Sequence, residues 1–132
     1  MATVTAQYRL VQGTLASVGH SGNHALIADR PEGKAGGQGL GFNGAQLLAL
    51  ALGGCFSNDV QYTADEMGLR VADLQVDVDL DLAGEPLVAT RAEMRVVCSL
   101  ENGADPSALL ERASARCTVA NSLRAGLEVV IG

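Results

Sequence analysis

The stretch Asn43–Val60, "NGAQLLALALGGCFSNDV", decides how the rest of the chain is read. Asn43 has the side chain of a helix N-cap, and Gln46, three residues on, can reach back to it as in a capping box. Leu47 to Leu52 is apolar on every side, which predicts burial all round. Beyond Cys55 the polar residues Asn58, Asp59, Gln61, Asp65 and Glu66 predict a helix that leaves the core towards its C-terminus. It should run to about Met67 and stop at Gly68, a residue suited to the left-handed C′ position. Gly53 and Gly54 each cost about 1 kcal/mol of helix stability relative to Ala. Their place beside Cys55 points to the close approach of another backbone or of a substrate. Spacing alone leaves Cys55 with two readings, a small buried side chain or a reacting group.

On the C-terminal side, "LQVDVDLDL" alternates with period two. Leu74, Val76, Val78, Leu80 and Leu82 point one way, and Gln75, Asp77, Asp79 and Asp81 the other. The acidic row reads as a solvated, edge-protecting face rather than a metal site. "AGEP" turns the chain into a partner strand in which Met94, Val96, Cys98 and Leu100 share the apolar face, so Cys98 is explained by packing. Asp105 and Pro106 suit the N-cap and N1 of a helix through about Arg116, with Leu110, Ala113 and Cys117 on one stripe. "TVANSLRAG" gives a short helix closed by Gly126, and "LEVVI" a last strand.

On the N-terminal side, Val4, Ala6, Tyr8 and Leu10 share one strand face, Gly13 allows a turn before "TLASV", and "HSGN" (His20–Asn23) turns into "HALIA". The segment Asp29–Phe42, "DRPEGKAGGQGLGF", is a loop with five glycines. No Gly-Lys-Ser/Thr ends it, so it is no phosphate loop. A loop of this length is either functional or a plain connection. Strands grouped into hairpins around helices indicate an α+β fold, and 132 residues suit a single domain, 1–132.

Composition excludes several functions. A net charge of −6 disfavours nucleic acid and anionic membranes as partners. "LLALAL" is stopped by Gly53 and Gly54 before it could span a bilayer, and "MATVTAQYRL" has no basic start followed by an apolar block, so no signal peptide is read. The expected compartment is the cytoplasm, where thiols stay reduced. Three cysteines at wide spacing make neither a zinc motif nor a disulfide scaffold, so no metal or cofactor is expected. With aromatics at only 3%, the core rests on Leu, Val and Ala, and association would add stability.

A reactive Cys55 needs a cation, donated hydrogen bonds or a helix N-terminus to become a thiolate. It lies about three turns into its own helix, too far for that dipole to act, and Asp59 at i+4 would raise its pKa. Arg30 and Lys34 in the glycine-rich loop are the nearest candidate cations, ahead of Arg9 and Arg116. His20 and His24 flank a turn and suit the surface.

The segment "GGCFSNDVQYTADEMGLRVADLQVDVDL", followed by "ASARCTVANSL", resembles the OsmC/Ohr family, through most of the chain from "HALIADRPEGKAGG" to the last strand. The shared pattern is a Cys in a central apolar helix, a Gly-Leu exit into a strand, and a second Cys. The resemblance implies an OsmC-like fold, an intertwined homodimer and an active site at the subunit interface. It further implies a Cys-based thiol peroxidase acting on organic hydroperoxides. Cys55 would be the peroxidatic residue and Cys117 the resolving one, with a dithiol such as a lipoylated protein as reductant. Arg30 would be the activating cation, and Gln46 and Phe56 the substrate-orienting residues. The peroxidase members carry a Pro-Glu pair before the apolar run, where this chain has Gly44 and Ala45, and Thr118 stands in place of the Pro after the second Cys. "GHSGNHALIADRP" with "GGC…DV" is closer to a less characterised branch. The alternative expectation is an OsmC-like dimer that binds an apolar small molecule in its cleft without turnover.

Overall fold

The alternation of the first thirty residues becomes three antiparallel strands in the computed structural model, which describes Met1–Gly132. They are β1 (Gln7–Leu10), β2 (Ser17–Ser21) and β3 (His24–Ala28), with β2 in the middle. Val4 and Ala6, expected in the first strand, precede it as exposed backbone: the ladder starts with Gln7 opposite His20. Ser21 pairs with His24 across a two-residue turn whose first residue, Gly22, has φ +59°, as a type II′ hairpin requires.

The glycine-rich segment is folded around Asp29. Its carboxylate accepts backbone N–H groups from Arg30 (2.8 Å), Gln38 (3.1 Å) and Leu40 (3.0 Å) and pairs with the Arg30 guanidinium. Phe42 then bridges back to Ala28. The reading as a plain connection therefore gives way to a loop pinned by one buried carboxylate.

Helix α1, Gly44–Glu66, starts with the expected capping box: Asn43 Oδ1 accepts from the Gln46 N–H at 2.9 Å, and Gln46 Oε1 from the Asn43 N–H at 3.0 Å. It ends in a Schellman motif, with Gly68 at φ +67° and Leu69 N–H bonded to the Ala64 carbonyl. Its burial is the reverse of the expectation. Leu52, Phe56, Val60 and Ala64 form an i+4 stripe that is fully buried, so the second half carries the core, while Leu50 in the first half is 52% exposed. The polar residues of the second half lie off that stripe, and an apolar run is buried only where something covers it.

The chain divides into two compact units, Met1–Leu47 and Leu48–Gly132. The second holds a long hairpin, β4 (Val71–Ala83) and β5 (Val88–Leu100), then α2 (Ser107–Arg116) and α3 (Thr118–Ala125). Leu74 faces Cys98, Val76 faces Val96 and Val78 faces Met94, which confirms the apolar face read from the alternation. On the outer face Asp77 lies opposite Arg95, whose guanidinium binds Asp79 at 2.6 Å. The hairpin's inner face packs against α1, and Leu109, Ala113, Cys117 and Ala120 complete the core.

Three further expectations are corrected. The buried stripe of α2 runs through Leu109, Ala113 and Cys117 at i+4 spacing, with Leu110 at its margin. Pro106 is the N-cap rather than N1, and Asp105, one residue earlier, accepts from the Ser107 N–H and hydroxyl. "LEVVI" is no strand: Leu127–Ile131 makes no ladder within the chain and its apolar side chains stand exposed, because extended backbone becomes sheet only beside a partner. No helix is long and apolar enough to cross a membrane.

Candidate functional site

Cys55 sits on α1 between the buried Leu52–Phe56–Val60 stripe and the polar face. Gly53 precedes it because β4 comes close: a Cβ there would meet Val78 Cγ2 at 3.0 Å, whereas a Cβ on Gly54 would meet nothing within 4 Å. Gly53 thus answers to packing against the sheet and Gly54 does not.

Cys117 is reached by a different route. It is the single residue between α2 and α3, at once the C-cap of one and the N-cap of the other, with extended backbone at φ −64° and ψ 108°. That break turns a fully buried thiol towards α1. The Cys55 sulfur, the Cys117 sulfur and a carboxylate oxygen of Asp59 all lie within 4.8 Å of one another. The Cys55 thiol donates to Asp59 Oδ2 at 3.5 Å. Asp59, one turn along α1, is itself only 9% exposed.

The electrostatics of Cys55 are contested. Burial pushes the thiol pKa up most strongly, and contact with Cys117 and the hydrogen bond to Asp59 push the same way. Against them acts the backbone N–H of Val119, in the first turn of α3, which lowers the Cys55 pKa. An amide at a helix N-terminus favours the thiolate. The dipole of α1 is too distant to act on Cys55, and the amide that does act belongs to a second helix, α3. The signal was present in "RCTVAN", a cysteine at the N-cap of a new helix. The net direction in this chain is upward.

Asp59 was read as adverse to a thiolate, and its contact with Cys55 bears that out. Phe56, expected to orient substrate, is a core residue that also lines an open cavity of about 530 Å³. The cavity is bounded by Leu48 and Leu52 of α1, Leu80 of β4, Met94 and Val96 of β5, and Leu123 of α3, and neither cysteine reaches its wall. Gln46 is engaged in the capping box. Arg30 belongs to the first unit, where it pairs with Asp29 and donates to the Leu15 carbonyl. Arg116 is held by Glu66 at 2.8 Å on the helical surface.

Two thiols brought together from α1 and from the break between α2 and α3 are compatible with a thiol-based redox protein. The family model for OsmC-like proteins matches residues 36–132, and the chain belongs to that family. Its fold is that of several solved structures. An OsmC-like protein of unknown function from Vibrio cholerae superposes with a TM-score of 0.77 at 12% identity, over 92% of this chain and 94% of that one. An OsmC-like protein from Mycoplasma pneumoniae gives 0.76 at 16% identity, over 93% and 88%. An organic hydroperoxide resistance protein from Elizabethkingia anophelis gives 0.69 at 17% identity, over 97% and 92%. No curated protein sequence matches the chain.

Proposed function

We propose that this protein is a Cys-based peroxidase of organic hydroperoxides, with Cys55 peroxidatic and Cys117 resolving. The observation that carries the reading is the convergence of the two sulfurs within 4.8 Å, from elements far apart in the chain. The structural likeness to an organic hydroperoxide resistance protein points the same way.

In the first step the Cys55 thiolate attacks the outer peroxide oxygen. The O–O bond breaks, the alkoxide takes a proton and leaves as alcohol, and Cys55 becomes a sulfenic acid. The Cys117 thiolate then attacks the Cys55 sulfur, a disulfide forms, and the displaced hydroxide leaves as water. A small or protein-borne dithiol, such as a lipoylated protein, takes the disulfide back to two thiols by exchange. The Val119 N–H holds the Cys55 thiolate while it forms. A cation is needed to offset Asp59 and burial, and we assign that role to Arg30, which Asp29 pairs with. The reaction belongs in a reducing compartment such as the cytoplasm. The working form is a homodimer whose interface covers the exposed first half of α1 and gives Leu127–Ile131 a neighbour.

The test is treatment of the reduced protein with one equivalent of cumene hydroperoxide. Stoichiometric loss of both thiols and a Cys55–Cys117 cross-link by mass are expected. Unreacted thiols at that dose would overturn the reading. The 530 Å³ cavity favours a second reading, binding of an apolar small molecule without turnover. Displacement of a fluorescent fatty-acid analogue by hydroperoxide-free ligands, with thiols unreactive, would be its mark.

A further inference from the structure

We infer that the reduced Cys55–Asp59–Cys117 cluster is a binding site for a thiophilic divalent cation, zinc being the fitting one. The site needs both thiols reduced and does not require that they turn over a peroxide.

The argument starts from Asp59. A carboxylate removed from water is costly unless it is paired. Asp59 is 9% exposed, takes part in none of the ion pairs of the structure, and receives one hydrogen bond, from the weakly donating Cys55 thiol. Two sulfurs and one carboxylate oxygen are a donor set that suits zinc. With bonds of about 2.3 Å to sulfur and about 2.0 Å to oxygen, a tetrahedral zinc sets a sulfur–oxygen edge of about 3.5 Å and a sulfur–sulfur edge of about 3.8 Å. The Cys55 Sγ to Asp59 Oδ2 distance is 3.5 Å, and no pair in the cluster is separated by more than 4.8 Å. One edge therefore has its bonded length already, and side-chain movements of about 1.3 Å or less close the others. Three protein ligands leave the fourth corner to water.

The ligands are placed by different means, which makes the cluster more than local crowding. Cys55 and Asp59 share a face of α1 by i+4 spacing, while Cys117 arrives from the break between α2 and α3. Binding displaces two thiol protons into solvent. It also excludes the disulfide, since both processes use the same two sulfurs. If an organic hydroperoxide oxidises the loaded pair, the two thiolates give up two electrons. The peroxide and two protons become alcohol and water, and the cation is set free. That exchange rests on the peroxidase reading, whereas the binding site does not.

The experiment titrates the reduced, metal-stripped protein anaerobically, with Zn²⁺ against a chromophoric chelator and with Co²⁺ while absorption is recorded. No peroxide is added, so the outcome is independent of turnover. We expect one Zn²⁺ per chain, and Co²⁺ bands of a tetrahedral site with thiolate charge transfer. Cys98→Ser should leave both unchanged. Cys55→Ser and Asp59→Asn, with folding verified by circular dichroism, should each weaken zinc by about 100-fold or more, since even outer-shell changes cost about 10- to 100-fold. These two variants carry the test because Cys117 is part of the core. No zinc taken from the chelator by the reduced wild type would overturn the inference. So would unchanged affinity in either variant, which would move the cation elsewhere, for instance to the aspartates of β4.

Discussion

The Cys55 sulfur lies between two opposed groups, the Asp59 carboxylate 3.5 Å away on its own helix and the Val119 amide at the start of α3. One stabilises the thiol and the other the thiolate. Removing the negative partner shows which the balance depends on. Asp59→Asn keeps the shape and drops the charge, so the Cys55 pKa should fall and its alkylation at neutral pH should speed up. Iodoacetamide trapping against pH, read by peptide mass, measures this. Slower alkylation in the variant would mean that Asp59 assists ionisation.

Wild-type Cys55 should react slowly at pH 7 in the isolated chain and gain speed throughout the alkaline range. Burial, the Cys117 contact and Asp59 together hold its pKa above the ordinary thiol value of about 8.5. Cys98 is raised too, by burial and then by Asp73. The sign for stability follows. Above about pH 8.5 unfolded thiols lose their protons while the native ones keep theirs. The native state then binds more protons, and stability falls as pH rises. Urea midpoints at pH 7 and pH 9.5 should differ less in Cys55→Ser/Cys98→Ser than in wild type. Alkylation of Cys55 already saturated at pH 7 would instead mean that a cation has reached the site.

Adjacent glycines in α1 should respond unequally. Gly54→Ala meets no atom within 4 Å and gains helix propensity, so it should stabilise the isolated chain by up to about 1 kcal/mol. Gly53→Ala places its methyl 3.0 Å from Val78 Cγ2 and must push the sheet aside by a few tenths of an ångström. It should recover less of that gain or none. Thermal melts of the two variants decide it, and equal stabilisation would show that β4 yields freely.

These residues also show what the sequence can disclose. The start and end of α1 were legible because Asn43, Gln46 and Gly68 act within one turn of themselves. The β4–β5 face was legible because its alternation is local, and Asp59 beside Cys55 because i+4 spacing guarantees it. The buried half of α1 was not, since hydropathy records what a side chain prefers and not what lies over it. "LEVVI" has the composition of a strand and lacks a neighbour in the chain. Val119 escaped notice because its amide meets Cys55 only through the chain reversal at Cys117. The three-ligand cluster escaped for the same reason, with Cys117 far from Cys55 and Asp59 in sequence.

Asp29 gives the last prediction, since it holds the glycine-rich loop from one point. Its carboxylate accepts three backbone N–H groups and pairs with Arg30, and these bonds, Leu40 first, draw its pKa below the ordinary carboxylate value. Asp29→Ala leaves the Gln38 and Leu40 amides without their acceptor. The loop between Pro31 and Leu40 should then be cut by protease well before the rest of the chain. The same lowered pKa fixes the acid response. The Asp29 contribution is whole above the unfolded carboxyl value of about 3.9 and is lost as pH falls through the lower folded value. Cleavage at Lys34, followed by mass spectrometry, should therefore be slow in wild type at neutral pH and fast in Asp29→Ala. Equal cleavage rates in the two proteins would mean that the loop is held by its backbone turns alone.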